Sequence, residues 1–332
     1  MIIDFFNHIL PARFWAGVEA LAPELDDIGK RMRDVKLLHD LDARFRLMDG
    51  IGEDYRQLIT VSHPPIEEIA DAKTGAELSR IANDSMAELV ASHPDRFVAF
   101  AASLSLIDIE TAVAELRRAV DDLGARAVQI FTNANGRPMD DPYYHPFFQA
   151  MADYDLPILM HPARTAAMPD YASEERSRFE AWISLGWPYE TAVAMMRFVL
   201  TGLFERHPDI KIVTHHMGGM IPFHDARMEM TTRTLGTRSS GDVYGQVRTR
   251  LSREPLDYYR SFYGDTAMHG GVIGIKCGLE FFGVEHVVFA SDSPFGDARK
   301  CVSAIDRLGL DAAEKQKVLC GNAERLLKLR AR

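Results

Sequence analysis

Apolar residues gather in eight short runs along the chain, at 2–6, 57–62, 97–102, 127–131, 156–160, 210–214, 262–264 and 287–291. Each is too short for a helix and lacks strict alternation, the pattern of a parallel strand buried on both faces. Between them apolar positions recur at helical spacing, at 66–89, 108–123, 144–154 and 189–204. Gly124 stops the second of these helices. Two late helices are predicted at 311–319, ended by Gly321-Asn322, and at 323–329. Strand and helix alternating eight times predicts an α/β fold, a single (β/α)8 TIM barrel domain over 1–332. Residues 12–55 and 165–188 hold more chain than a crossover needs, so insertions after strand 1 and strand 5 are expected, shaping a pocket. An open doubly wound sheet would carry a glycine-rich phosphate turn after its first strand, and Asn7-His8-Ile9-Leu10-Pro11 is not one.

The chemistry-bearing side chains stand where these runs end. His8 follows the first, His161 the fifth, His215-His216 the sixth, Asp265 the seventh and Asp292 the eighth. Side chains at the C-terminal ends of parallel strands converge on one mouth when the sheet closes. His8, His161 and Asp292 then form an N,N,O set suited to a catalytic divalent ion with open coordination positions. The sharpest local feature is Thr-His-His-Met-Gly-Gly at 214–219. Neighbours on a strand point to opposite faces, so only one of His215 and His216 is expected in the mouth. His63 and His269 lie near strand ends, and His145 and His224 near helices. His39, His93 and His207 read as surface residues. The triplets His93-Pro94-Asp95 and His207-Pro208-Asp209 mark helix-to-strand turns at the opposite end of the barrel.

Composition narrows the partners. The chain has 332 residues, 47% of them hydrophobic, enough for a large core. A net charge of −10 argues against nucleic acid and anionic membrane as partners. A small carboxylate substrate stays compatible if local arginines receive it. The three cysteines, Cys277, Cys301 and Cys320, form no CxxC pair and suit a reducing cytoplasm. The start of the chain has no basic segment followed by an apolar run, and no stretch approaches the ~20 apolar residues of a membrane span. A cytoplasmic protein is expected.

Six segments in register resemble a known family: MIIDFFNHILP at 1–11, WISLGWPYETAVAMM at 182–196, GLFERHPDIKIVTHHMGGMIP at 202–222, YGDTAMH at 263–269, VVFASDSPF at 287–295, and Gly321-Asn322-Ala323. They are similar to the decarboxylase-like branch of the amidohydrolase superfamily, which includes aminocarboxymuconate-semialdehyde and γ-resorcylate decarboxylases. The resemblance implies a (β/α)8 barrel with one divalent metal, zinc or alternatively manganese, on His8, His161 and Asp292. It implies that His216 is the acid–base residue, with Asp292 as the other candidate proton donor. It places Arg227 at the substrate carboxylate and at the boundary of a homodimer or homotetramer. A guanidinium suits that task because it grips both oxygens. In the long loop, Phe179, Trp182, Leu185 and Trp187 offer an apolar wall for a flat substrate, with Trp182 as the substrate-binding candidate.

Two departures stand against the family pattern. The family opens with His-x-His or Glu-x-His, and this chain has Phe6 at the first of those positions. A phenyl ring cannot bind a metal. Three outcomes follow: a three-ligand site, a ligand supplied from elsewhere with His63 or His216 as candidates, or no metal. The family's second substrate arginine also has no aligned counterpart in 12–55, where Arg31 and Arg33 stand. The leading expectation is metal-dependent, non-oxidative decarboxylation of a hydroxyaromatic or unsaturated, muconate-like acid. The alternative is hydrolysis or hydration of a lactone, amide or conjugated acid, with or without metal. A non-catalytic binding protein is the third reading; Phe6 favours it, and intact His161, His216 and Asp292 oppose it.

Overall fold

A computed structural model describes residues 1–238 and 244–329. Its first strand, β1 (Ile2–Ile9), is buried from Ile3 onward and gives way at Pro11 to a helix, Ala12–Leu21. The remaining strands of the barrel are β2 (Tyr55–Val61), β3 (Phe97–Ser103), β4 (Ala127–Phe131), β5 (Ile158–His161), β6 (Ile212–Thr214), β7 (Tyr263–Asp265) and β8 (Val287–Val288). They pair in parallel and in chain order, as the pattern predicted. Backbone bonds bring the last strand round to the first. Phe5 N donates to Phe289 O (2.9 Å), Asp292 N to Phe6 O (3.1 Å) and His8 N to Ser293 O (2.7 Å). The barrel is thereby nearly closed, and its strand ends share one mouth.

The strand ends differ from expectation for local reasons. Pro157 has no N–H to give a ladder, and β5 begins after it. Beyond Val288 the backbone N–H groups go elsewhere: Phe289 to Val318 O (2.8 Å), Ala290 to Thr266 Oγ1 (2.9 Å) and Ser291 to Asp4 Oδ1 (2.9 Å). The eighth strand is therefore two residues long, although its apolar run continues. The helix expected at 66–89 is two, Ile66–Ile69 and Ala72–Ser92, because the Asp71 side chain accepts from Thr74 N and starts a new N-terminus. The stop expected at Gly321-Asn322 does not occur. The helix Ala312–Gln316 passes through one wide turn, Lys317–Gly321, into Asn322–Leu326. Asn322 earns its place inside by donating to Val284 O (2.7 Å) and Val287 O (2.8 Å).

Two apolar layers result. Side chains such as Leu58, Ala101, Leu159, Val213 and Val288 fill the barrel, and Cys320, Ala323, Leu326 and Leu327 close it. A larger layer lies between the strands and the surrounding helices. Cys301 and Cys320 are buried and, like Cys277, free. No helix among the described residues is long and apolar enough to cross a membrane.

Both expected insertions are present. The first carries the helices Ala12–Leu21, Ile28–Asp34 and Leu41–Asp49. From the last of these, the buried Arg44 donates to Gln57 Oε1 (2.8 Å), Asn7 Oδ1 (3.2 Å) and the backbone oxygen of His8. The insertion is thus tied to the strand end that carries a candidate ligand. The second runs from His161 to the turn Trp182–Gly186 and the helix Trp187–Leu200.

Candidate active site at the barrel mouth

Four imidazoles converge at the mouth, and each is held through Nδ1. His161 Nδ1 lies 2.8 Å from Pro162 O and His216 Nδ1 lies 2.6 Å from Ala267 O. A carbonyl only accepts, so the proton of each ring sits on Nδ1 and Nε2 keeps its lone pair. His8 Nδ1 is 3.1 Å from Thr60 Oγ1, whose own hydroxyl donates to Asn7 O (3.0 Å). His8 is therefore the donor of that pair, and its buried Nε2 has no hydrogen-bond partner. His215 Nδ1 is 2.6 Å from Asp265 Oδ2, which leaves Nε2 turned to Asp292 Oδ1 at 3.4 Å. Asp292 Oδ1 also lies 3.3 Å from His8 Nε2.

These donors form two overlapping sets able to hold an ion, His8–His161–His215 and His215–His216–Asp292, with the ligand atoms of each within 4.8 Å of one another. His8, His161 and Asp292, expected together, are spread over the two sets. His215 is common to both. Such groups, clustered with the buried His8 Nε2 left unpartnered, fit a divalent cation.

The separation expected for His215 and His216 is absent, because strand geometry ends at Thr214. His216 and Met217 both take the left-handed conformation (φ 55°). The two rings consequently lie 3.8 Å apart on the same side. Two glycines with positive φ follow, and a Cβ on Gly219 would come within 2.3 Å of Pro188 O, so the motif needs glycine there. His215 is fully buried and His216 lines the cavity. Phe6 lies flat against His215, ring centroids 4.0 Å apart at 24°.

Charge separates these four rings and the neighbouring His63. Burial lowers His8, holds His161 well below the usual imidazole range, and takes His63 to about 3 and His216 to about 4; the neighbouring His215 depresses all four further. His215 is the exception. Burial pushes it down, but the charges and hydrogen bonds of Asp265 and Asp292 outweigh that and raise it to about 9. Asp292 is likewise pushed up by burial, and the hydrogen bond and charge of His215 hold it well below the carboxylate range.

A cavity of about 500 Å³ opens above the cluster. Its walls come from both insertions: Arg31 and Met32 from the first, Ile183 and Trp187 from the second, with Phe295 and His269 opposite. Trp187 stacks on His63 (5.0 Å, 10°), which sits 3.3 Å from His161. Of the expected wall, Trp187 lines the cavity. Trp182 is buried behind it, ring centroids 5.8 Å apart, and Phe179 and Leu185 face outward. Arg227 lies exposed on the helix Asp225–Arg233 and is not part of the cavity wall within one chain. Arg31 is the wall's one guanidinium or ammonium among the described residues, 5.3 Å over the ring of Phe295.

Sequence reading placed Asp265 at a strand end without a task, and the structure gives it one as the partner of His215. Thr60, the penultimate residue of β2, carried no signal of its own. His39 is exposed and His93, His145, His207 and His224 are half-buried, all outside the cavity wall.

The same architecture occurs in characterised proteins. A γ-resorcylate decarboxylase of Polaromonas sp. (strain JS666) is 30% identical over 305 residues, covering 89% of each chain. A 2-amino-3-carboxymuconate-6-semialdehyde decarboxylase of Dictyostelium discoideum is 27% identical, covering 88% of this chain and 81% of its own. Among solved structures, 5-carboxyvanillate decarboxylase from Sphingomonas paucimobilis superposes with a TM-score of 0.82 at 28% identity, over 99% of both chains. A dihydroxybenzoic acid decarboxylase from Polaromonas sp., solved with bound manganese and the inhibitor 2-nitroresorcinol, gives 0.81 at 27% identity, over 99% of this chain and 98% of its own. The amidohydrolase family model matches residues 3–329, and with the barrel and its mouth arranged as described, the chain belongs to the amidohydrolase family.

Proposed function

We propose that this protein is a metal-dependent, non-oxidative decarboxylase of a planar carboxylic acid with a hydroxyl, keto or amino group beside the carboxylate. The observation that carries it is the cluster of buried Nε2 lone pairs around Asp292, beneath a cavity walled by flat side chains. Relatives along nearly the whole chain are decarboxylases of hydroxyaromatic and muconate-type acids.

His8, His161 and Asp292 are the residues proposed to hold the ion, manganese or zinc. When bound, the ion supplies a positive site for the oxygens of the substrate's carboxylate and neighbouring hydroxyl. The chain does the rest. Arg31 is the cation placed to receive a carboxylate in a protein of net negative charge. Trp187 and Phe295 give a flat ring apolar surfaces and exclude water from it. Loss of CO2 leaves an electron pair on carbon, so that carbon must gain a proton. His216 is neutral at pH 7, with Nδ1–H fixed on Ala267 O and Nε2 free as a base. It can take the proton of the substrate's hydroxyl, giving the ring carbonyl character, and return a proton to the carbon. Asp292, held ionised, steadies the charge on His216 during the exchange. Arg227 and Trp182 are second candidates, Arg227 through a neighbouring subunit of a homodimer or homotetramer and Trp182 by backing Trp187.

The test is CO2 release from a panel of hydroxybenzoates and muconate-type acids, before and after chelation and after return of manganese or zinc. Release that needs the metal supports the reading. Opening of a lactone or amide with every carboxylate retained favours the hydrolase reading instead.

A further inference from the structure

Phe6 stands where the family places its first ligand, and nothing around it restores a donor to that strand. The neighbours of its ring show what has changed. His215 is stacked on Phe6 at 4.0 Å, closer than His8 (5.5 Å) or His161 (5.9 Å), so the space beside the missing donor holds another imidazole. We propose that His215 has taken over the coordination duty lost at Phe6, completing a four-donor set of His8, His161, His215 and Asp292.

Three observations carry this. First, His215 alone belongs to both donor sets at the mouth, so an ion held by either set is within reach of His215, which links His8 and His161 to Asp292. Second, its ring is oriented as metal-binding imidazoles are. Nδ1 is bound to the buried carboxylate of Asp265 at 2.6 Å, fixing the tautomer and aiming Nε2 at Asp292 and the cluster. Asp265 is itself immobilised, since its other oxygen accepts from the backbone of His216 (3.0 Å) and Ala267 (3.0 Å). Third, the alternatives have other contacts, although His216 is within reach of His215 and Asp292. His63 spends Nε2 on His161 and stacks beneath Trp187. His216 lies at the cavity wall, where a substrate needs it. A donor would thus have moved from β1 to the end of β6, with Phe6 left as the platform that fixes the plane of the new ligand.

The inference rests on the metal-dependent reading above, and its test separates the two. X-ray absorption on the zinc-loaded wild-type protein counts imidazoles directly, and three are expected; two overturn the proposal. Equilibrium dialysis with Co2+, read also by visible absorption, follows the variants. Losing an outer-sphere partner of a ligand costs roughly 10–100-fold in affinity, so Asp265→Asn should weaken Co2+ binding by about that much and His215→Ala by more. Phe6→Glu in the His215→Ala background should recover binding. Melting curves confirm that each variant is folded. A folded His215→Ala protein with wild-type Co2+ affinity and an unchanged spectrum overturns the inference and leaves the decarboxylase reading standing. Wild-type protein that takes up neither Co2+ nor zinc overturns both.

Discussion

Asp4 and Asp292 are both buried aspartates of the same barrel, and their surroundings push them in opposite directions. Asp4 lies on the seam between β1 and β8. Its carboxylate accepts from the backbone of Ser291 (2.9 Å), the Ser291 hydroxyl and the Tyr55 hydroxyl. Burial prevails over these bonds and raises it to about 6. Asp292 stands at the mouth among imidazoles and is held well below the ordinary range, although burial pulls it up too. The seam gives its carboxylate neutral hydrogen-bond donors, which with the Arg44 charge favour the ionised form but do not offset burial. The mouth sets beside Asp292 an imidazole, His215, that the two aspartates draw toward its charged form, and it leaves His8 Nε2 unspent. A buried polar group that is saturated by neutral partners is architecture; one with a free lone pair aimed at its neighbours is a binding site.

Several substitutions would break that contrast. The largest effect is expected from Asp292→Asn, which removes the negative charge that holds His215 and faces His8. Turnover should fall by about 10³-fold, within the range for loss of an acid–base group, while the protein still folds. A folded variant with more than a tenth of wild-type turnover would show that the mouth does not depend on this charge. His216→Ala should cost at least ~100-fold in kcat, with Co2+ affinity unchanged, because His216 is proposed to move a proton and not to hold the ion. If metal is lost instead, His216 is a ligand and its role here is misassigned. Arg31→Met should raise KM about tenfold with little change in kcat, the scale of one charge-assisted hydrogen bond to substrate. An unchanged KM would return the carboxylate to Arg227 of a neighbouring subunit.

The effect expected at the seam is on stability and not on turnover. Asp4 titrates at about 6 in the fold against 3.8 for the free side chain, so between those values the folded state holds a proton that the unfolded chain has released. Its contribution to stability is fully present below the lower value and is lost as pH rises through the upper one, by about 1–3 kcal/mol. Asp4→Asn should flatten that part of the stability profile between about pH 4 and pH 6. Urea melts of both proteins across the window check it. A variant that keeps the wild-type slope would mean that another group carries it.

The barrel was legible because burial on both faces leaves short apolar runs between helices, a signal that needs only neighbouring residues. His8, His161, His216 and Asp292 were legible as positions for the same reason: each stands within two residues of the end of such a run. What was not legible was set by contacts across the chain. Whether His215 or His216 enters the mouth was argued from strand alternation, and alternation stopped one residue early, at a pair of left-handed residues that give no warning in sequence. The task of Asp265 depends on His215, fifty residues away. Trp182 and Trp187 are both aromatic residues of one loop, and only the packing decides which one faces the cavity and which one backs it. The helix through Gly321-Asn322 was misread because a local stop signal is overridden when the asparagine amide finds two buried carbonyls.

The central claim is that the mouth removes CO2 and replaces it with a proton. Metal-loaded protein incubated in deuterated water with the hydroxybenzoate it consumes fastest tests this most directly, by NMR of the product. One deuterium is expected at the carbon that lost the carboxylate and none elsewhere in the first turnover. A product that keeps its carboxylate and has gained the elements of water would contradict it.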